Sequence, residues 1–209
     1  MLKIETLIEN ISSNCMDDLP GKSAQDEMLA KPRAKVSFGK SEEHAIPSAV
    51  LILLLPKNNN VHFVLTKRTN QVQHHKGQIS LPGGTWESGE QLHETALRET
   101  EEEIGVLAKN IKIVVELTPL FVKATGYMIH PFVGYICKTP VLKPCQNEVK
   151  AVFTVSVTDL LNPKNRQIQQ WQIRNTPVDV PFFKLGDYNV WGATAMILSE
   201  FSHCMKHLK

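Results

Sequence analysis

The chain contains 209 residues, of which 42% are apolar and 21% are charged, with 11 glycines and 12 prolines. This composition is typical of globular proteins and excludes collagen-like, coiled-coil and wholly disordered chains. The formal net charge of +2 is too small to indicate a nucleic-acid or membrane-surface partner by electrostatic attraction alone.

The N-terminal part of the chain predicts one amphipathic helix followed by an irregular segment. Apolar residues recur at near-helical spacing between Leu2 and Ile11. Residues 16–47 contain three prolines and little periodicity. We therefore divide the chain into an N-terminal helix and lead-in, residues 1–47, and a main domain, residues 48–209.

The middle of the chain predicts a hairpin, a glycine-rich loop and a helix. Two short apolar stretches, residues 49–55 and 61–66, flank a turn cluster and predict the hairpin. Residues 77–89 are rich in glycine, and residues 90–104 lack both glycine and proline, which favours a helix that ends at Gly105.

The C-terminal half predicts strands and one more helix. The candidate strands are residues 111–117, 129–137, 149–157, 171–174 and 181–184. A closing helix is predicted over residues 193–206, with Met196, Ile197, Glu200, Phe201 and Cys204 along one side. This order predicts an α/β (α+β) fold in which a mixed β-sheet is flanked by helices.

The cysteines and the apolar runs bear on the cellular compartment. Cys15, Cys137, Cys145 and Cys204 are far apart and form no C-x-x-C pair, which argues against a zinc site and a disulfide framework. The longest apolar run has 7 residues, whereas a membrane-spanning helix needs about 20. The first residues mix charged side chains into their apolar pattern, unlike a signal peptide. We therefore expect a cytoplasmic protein that binds neither membranes nor nucleic acid.

The central predicted helix concentrates acidic residues on one side. At 100° per residue, Glu99, Glu102 and Glu103 fall within a sector about 100° wide, next to the apolar stripe that faces the core. One interpretation is a solvated charged face. The other is a seat for a divalent cation, because clustered carboxylates repel one another and offer the oxygen ligands that Mg²⁺ or Mn²⁺ prefers.

The acidic helix belongs to a longer motif. From Gly84 the sequence has five residues, Glu90, seven residues, Arg98-Glu99-Thr100, one residue, Glu102-Glu103, one residue and Gly105-Val106. This resembles the Nudix box, G-x5-E-x7-R-E-U-x-E-E-x-G-U, with Thr100 where the pattern has an aliphatic residue. The resemblance implies a Nudix-type α/β/α sandwich over residues 48–209 and hydrolysis of a nucleoside diphosphate linked to another moiety.

The resemblance also implies roles for the box residues. Glu99 and Glu103 are the expected principal ligands of Mg²⁺ or Mn²⁺, and Glu102 is a further ligand or the general base. Glu90 is a supporting ligand through water, and Arg98 completes the catalytic set by bracing the loop–helix–loop. Some Nudix enzymes take the base from a later loop, and Glu148 is the candidate for that role; a solvated glutamate at the start of a strand is the alternative for this residue.

Residues just before the box resemble the upstream segment of the coenzyme A pyrophosphatase branch, L-L-T-x-R-[SA]-x3-R-x3-G-x3-F-P-G-G. This chain departs from that pattern at four positions, which are Val64, Thr69, Gln73 and Leu81. The resemblance implies cleavage of coenzyme A into 4′-phosphopantetheine and adenosine 3′,5′-bisphosphate. It also implies substrate contacts from residues that supply positive charge or close backbone approach, which are Lys67, Arg68, Gly77, Gly83 and Gly84.

Two rival functions remain open at this point. The first is a Nudix pyrophosphatase for another nucleoside diphosphate derivative such as ADP-ribose or NADH, which Gln73 and Leu81 favour. The second is a non-catalytic nucleotide-binding Nudix module, against which the retained box glutamates argue. In each case the expected partner is a small molecule, and the chain is expected to be a monomer or a homodimer.

Overall fold

The computed structural model describes residues 2–15, 18–32, 41–69, 78–173 and 176–205. The helices are α1 (Ile4–Cys15), α2 (Gly21–Asp26), α3 (Leu92–Ile104), α4 (Val157–Leu161) and α5 (Gly192–His203). Short 3-10 helices lie at Glu42–His44, Ala108–Asn110 and Pro163–Asn165. No helix in these ranges is long and apolar enough to cross a membrane.

The strands form two sheets. The strands are β1 (Lys31–Pro32), β2 (Ile46–Lys57), β3 (Asn60–Arg68), β4 (Ile79–Ser80), β5 (Gly83–Thr85), β6 (Lys112–Glu116), β7 (Leu120–Val122), β8 (Tyr127–Tyr135), β9 (Val149–Ser156), β10 (Arg166–Ile173), β11 (Thr176–Leu185) and β12 (Tyr188–Trp191). The larger sheet has the order β4-β3-β2-β8-β6, with β5 beside β2, β7 beside β8 and β9 beside β3. The smaller sheet has the order β1-β11-β10, with β12 beside β11. The larger sheet is mixed, because β2 and β8 are parallel while its other pairs are antiparallel.

Strand β2 explains why the larger sheet is covered on both faces. Its buried side chains alternate, so that Leu51 and Leu53 pack with Ala96 of α3, whereas Ile52 and Leu54 pack into the core that contains residues of α1 and α5. A sheet whose strands are apolar on both faces must be covered on both sides. The expected α/β/α sandwich with a mixed sheet is therefore confirmed.

The N-terminal helix joins the main core. Leu7 and Ile11 of α1 are fully buried and lie in the same apolar cluster as Phe63 of β3 and Phe201 of α5. The division at residue 47 stays a prediction. Helix α1 packs into the core beneath the larger sheet, which explains the apolar periodicity between Leu2 and Ile11.

Cys15 and Cys204 form a disulfide across 189 positions of sequence. The expectation that the cysteines form no disulfide is wrong for this pair, because the fold brings the end of α1 against the end of α5. Sequence spacing carries no information about such a long-range contact. Cys137 and Cys145 are free.

Most of the predicted elements are present, with shifted limits. The helix predicted from residue 90 begins at Leu92, because the Gln91 backbone N–H donates to the Glu94 side chain at 2.7 Å. The two late strands are longer than predicted, and β12 was not predicted. The polar strand β10 lacks apolar alternation, so its pairing with β11 could not be seen in the sequence.

Candidate functional site

The site is built around α3 and the glycine-rich strand β5. Gly105 ends the helix in the left-handed conformation, with φ of 72°, which glycine adopts without steric cost. Strand β5 pairs with β2 and places its backbone directly against the acidic side of α3. A Cβ atom on Gly84 would lie 2.3 Å from Glu99 Oε1, so only glycine allows this approach.

Arg98 joins the loop to the helix. Its Nε and Nη2 atoms donate to the two oxygens of Glu90 at 3.1 and 3.0 Å, and Nη2 also donates to the Thr85 carbonyl at 3.2 Å. Its Nη1 atom donates to Glu99 Oε1 at 3.0 Å. This geometry agrees with the bracing role that the resemblance implies for Arg98.

Glu90 lies in the fork of Arg98. The hydrogen bonds from Arg98, aided by donors from Thr95 and Glu87, lower the pKa of Glu90 to about 2. Both oxygens of Glu90 are engaged within the loop–helix unit. Its expected role as a supporting metal ligand stays a prediction. The hydrogen bonds described here hold the loop before α3 against the helix.

Glu103 is the buried member of the acidic group, with 2% of its surface exposed. Burial raises its pKa to about 8, the positive charge of Arg68 and the Gly83 N–H oppose this shift, and the charges of Glu99 and Glu148 add to it. The Gly83 N–H donates to Glu103 Oε2 at 3.3 Å. Glu103 therefore faces the glycine loop, Arg68 and two other carboxylates.

Glu99 and Glu148 share this electrostatic environment. Burial raises the pKa of Glu99, Arg98 opposes the shift, and the charges of Glu102 and Glu148 raise the pKa further. Glu148 lies one residue before β9, and its charge acts on both Glu99 and Glu103. The structure therefore brings together three of the residues that the sequence selected, from two separate segments of the chain.

Glu102 is more exposed than its neighbours. The side chain keeps 61% of its surface exposed, and its Oε2 atom lies 3.6 Å from Arg98 Nη1. It is therefore open to solvent at the rim of the acidic group, where a water molecule has access to it. Its role as ligand or base stays a prediction.

The two basic residues at the end of β3 have different neighbours. Arg68 acts electrostatically on Glu103, and its Nε–H is buried without a partner in the described part of the chain. The Nζ atom of Lys67 lies 5.4 Å from the ring centroid of Tyr188, which stacks on Phe153 at 4.3 Å. Of these two residues, Arg68 is the one whose charge acts on the acidic group in the described part of the chain.

The glycine and loop predictions have mixed outcomes. Gly83 has φ of 150°, and a Cβ atom there would lie 2.3 Å from the Ala49 carbonyl oxygen, so Gly83 and Gly84 are explained by close packing. Gly77 and Gln73 lie outside the described residues. Leu81 is 3% exposed and packs in the core; whether its departure from the coenzyme A pattern favours another substrate stays a prediction.

The stacking of Tyr188 on Phe153 and the hydrogen bonds of Thr69 were not predicted from the sequence. Nothing in the local pattern marks the two aromatic residues, which are brought together by strands of different sheets. The sequence marks Thr69 only by its departure from the Ser or Ala of the coenzyme A pattern. Its hydrogen-bond partners, the carbonyls of Asn147 and Glu148, lie in a loop that is distant in sequence.

The acidic group consists of the carboxylates of Glu99, Glu102, Glu103 and Glu148, which are possible ligands of a divalent cation. Within the described ranges, no three Asp, Glu, His or Cys side chains lie close enough together to hold a metal ion in this conformation. The donors are nevertheless hard carboxylate oxygens that raise one another's pKa. A divalent cation would reverse that repulsion, so the residues fit such an ion by their chemistry.

Comparison with known proteins gives the family. Residues 45–175 match the NUDIX domain. The chain is 32% identical over 178 residues to Nudix hydrolase 3 of Caenorhabditis elegans, covering 81% of this chain and 73% of that protein. It is 31% identical over 183 residues to the mitochondrial coenzyme A diphosphatase NUDT8 of Mus musculus, covering 85% and 86%.

Solved structures support the fold. The Nudix hydrolase RenU of M. smegmatis superposes with a TM-score of 0.54 at 15% identity, covering 84% of this chain and 98% of that one. With the domain match over residues 45–175 and the box on α3, these similarities establish that the chain belongs to the Nudix hydrolase family.

Proposed function

We propose that this protein hydrolyses the pyrophosphate bond of coenzyme A or a derivative, giving 4′-phosphopantetheine and adenosine 3′,5′-bisphosphate. The observation that carries the proposal is the geometry of the loop–helix unit, in which the buried Glu103 accepts from Gly83 N at 3.3 Å and Arg98 joins Glu90 to Glu99. Similarity to a coenzyme A diphosphatase along 85% of this chain supports the same substrate.

The carboxylates of the acidic group are the proposed ligands of a divalent cation. Nudix hydrolases generally use divalent metal ions, and we propose Mg²⁺ or Mn²⁺ held by Glu99 and Glu103, with Glu102 and Glu90 as further ligands. When bound, such an ion neutralises phosphate charge and lowers the pKa of an attacking water. Gly84 keeps Glu99 next to the loop backbone, and Arg98 fixes the loop on which the carboxylates depend.

The general base takes a proton from the attacking water as its oxygen bonds to phosphorus. Glu102 and Glu148 are the two candidates, because both act on the pKa of Glu99 and neither is buried. Separate Glu102→Gln and Glu148→Gln variants distinguish them. We expect one of the two to lower turnover by about 100-fold or more, and near-full rates in both would exclude the pair.

Arg68 and Lys67 are proposed to bind phosphate. The Nε–H of Arg68 is buried and has no partner among the described residues, and we propose that the positive charge of its guanidinium group attracts the pyrophosphate. Lys67 is the candidate for the additional 3′-phosphate of coenzyme A. Gly77, Gly83 and Gly84 complete the proposed contacts through close backbone approach.

A second substrate class is favoured by one observation. The Nζ atom of Lys67 lies over the Tyr188 ring and, among the described residues, contacts no member of the acidic group, so it is not positioned there for a 3′-phosphate. This arrangement suits ADP-ribose or NADH, which lack that phosphate. A rate preference for dephospho-coenzyme A over coenzyme A would favour this second class.

The test is a product analysis. The purified full chain is incubated with Mg²⁺ or Mn²⁺ and separately with coenzyme A, dephospho-coenzyme A, ADP-ribose and NADH, and the products are identified by mass. We expect coenzyme A to be cleaved fastest, with one water added across the pyrophosphate. Glu103→Gln serves as the inactive control, and no cleavage of coenzyme A by the wild type would overturn the proposal.

The cytoplasmic location stays a proposal. The disulfide Cys15–Cys204 removes the part of the argument that rested on unpaired cysteines, and one similar protein is mitochondrial. Fractionation of cells with an antibody to the native chain tests the proposal, and enrichment with organelles would contradict it. Gel filtration with light scattering separates the monomer from the homodimer.

A further inference from the structure

We propose that Thr69 is a positioning residue that holds Glu148 in place at the acidic group. This proposal rests on the proposed pyrophosphatase function, because it assigns Thr69 a role through Glu148. The Thr69 backbone N–H donates to the Glu148 carbonyl at 2.9 Å. The Thr69 hydroxyl donates to the Asn147 carbonyl at 3.2 Å, so two successive peptide groups are held by one residue.

The other side of Glu148 is held from α3. The Glu148 and Val149 N–H groups donate to the Cys145 carbonyl at 3.1 and 2.8 Å. The Cys145 N–H donates to the Glu103 carbonyl at 3.0 Å. A continuous set of hydrogen bonds therefore leads from Glu103 to Glu148 and ends at Thr69.

A β-bulge explains why Thr69 reaches this turn. Lys67 lies opposite Ala151 and Arg68 lies opposite Val149, so Lys150 has no opposite residue in β3. A bulge changes the direction of side chains at the end of a strand and is common next to active sites. As a result, consecutive residues serve the site in two ways, with Arg68 acting on Glu103 and Thr69 fixing the turn of Glu148.

Fixing the turn matters because Glu148 is an exposed side chain. Its carboxylate is exposed while its charge acts on Glu99 and Glu103, so packing in the core does not hold it in place. With the peptide groups on both sides of its Cα atom held, only side-chain rotations remain free. Small displacements of a catalytic group lower turnover more than they lower substrate binding.

The hydroxyl is the part of this contact that mutation can remove. The backbone bond to Glu148 persists with any residue other than proline at position 69, whereas the bond to Asn147 requires the hydroxyl oxygen Oγ1. Thr69→Val keeps the shape and removes the hydroxyl, and Thr69→Ser keeps the hydroxyl. These two variants therefore separate packing from hydrogen bonding.

The experiment measures kcat and KM for wild type, Thr69→Val and Thr69→Ser, alone and combined with Glu148→Gln. We expect Thr69→Val to lower kcat by about 3- to 10-fold with KM unchanged, and Thr69→Ser to stay within about twofold. In the Glu148→Gln background, Thr69→Val should have no further effect, because its role acts through Glu148. Thermal melting confirms folding, and Thr69→Ala is the second hydroxyl-free variant.

Three results would overturn the proposal: an unchanged kcat in Thr69→Val, an equal loss in Thr69→Ser, or a full additional loss in the Glu148→Gln background. The assay uses whichever pyrophosphate the wild type cleaves fastest. Failure of coenzyme A alone would therefore reject the proposed substrate while the Thr69 test still decides. A wild type that cleaves none of the panel would overturn both proposals.

Discussion

Two buried glutamates show how differently the fold treats the same side chain. Glu200 on α5 is fully buried and accepts hydrogen bonds from Gly21 N, Thr118 N, Thr118 Oγ1 and Gln25 Nε2 at 2.6–3.2 Å. Glu103 on α3 is nearly as buried. In the described part of the chain, however, its carboxylate accepts one hydrogen bond, from Gly83 N at 3.3 Å.

We propose that this difference separates a structural carboxylate, Glu200, from a functional one, Glu103. A buried charge is tolerated when donors replace its hydration, and Glu200 has such donors from α2 and from the loop before β7. Glu103 has few donors and two acidic neighbours, so its charge requires something more. We propose that a divalent cation provides it. Burial alone therefore does not distinguish the two glutamates, whereas the number of hydrogen-bond donors around each carboxylate does.

The largest effect is expected for Glu103→Gln. A direct metal ligand should be worth at least about 100-fold in turnover, while the free energy of unfolding should not fall, because Gln keeps the volume of a carboxyl group whose neutral form burial already favours. Turnover and chemical denaturation of the same preparation check both parts. A variant that loses stability and activity together would place Glu103 in the same class as Glu200.

Glu200→Gln should show the opposite pattern. The amide nitrogen would meet donor groups in place of an acceptor, and we expect the free energy of unfolding to fall by about 2–3 kcal/mol. Turnover per folded molecule should be unchanged, because Glu200 has no contact with the acidic group. Denaturation curves measure the loss, and a turnover deficit in fully folded protein would refute the distinction.

Gly84→Ala tests the close packing of the β5 backbone against the Glu99 carboxylate. The added Cβ atom would lie 2.3 Å from Glu99 Oε1, which is the end of a flexible side chain, so the carboxylate should move while the backbone stays. We expect turnover to fall by about 10- to 100-fold with little change in stability. Gly83→Ala is the contrasting variant, because its Cβ atom would meet the backbone carbonyl of Ala49 and should mainly destabilise the fold.

The smallest effect concerns Glu27, a third glutamate with fixed partners. Burial, the largest single influence, raises its pKa, but the hydrogen bonds and charges of Arg166 and His203 together lower it below the ordinary 4.5. A lowered pKa means that Glu27 stabilises the fold above pH 4.5, and that this contribution is lost as the pH falls through the lowered value. The melting-temperature difference between wild type and Glu27→Gln should therefore shrink on acidification, and a difference that grows would contradict this sign.

The sequence predicted those features that repeat locally or match a family pattern. The hairpin, α3 and its Gly105 end follow from periodicity and turn chemistry, and the box selected Glu99, Glu103 and Arg98 before their contacts were known. Glu148 was selected only through family resemblance, because its approach to α3 depends on the loop before β9.

Features that depend on distant pairing were not predictable. The disulfide joins residues 189 positions apart. The sequence shows Glu200 on the apolar side of the closing helix but does not show what would hydrogen-bond to a buried carboxylate there. Its donors come from α2 and from Thr118, which are distant in sequence. Lys67 and Arg68 are adjacent in sequence, and only the structure shows their different neighbours.

Calorimetric titration of Mn²⁺ into the full chain tests the central claim most directly. We predict that wild type binds the ion and that Glu103→Gln binds it at least about 10-fold more weakly. Glu101→Gln is the matched control, because it removes the same charge from the same helix at a residue whose side chain contacts Ala108 N, and its affinity should equal that of wild type. Equal Mn²⁺ affinity in wild type and Glu103→Gln would contradict the account.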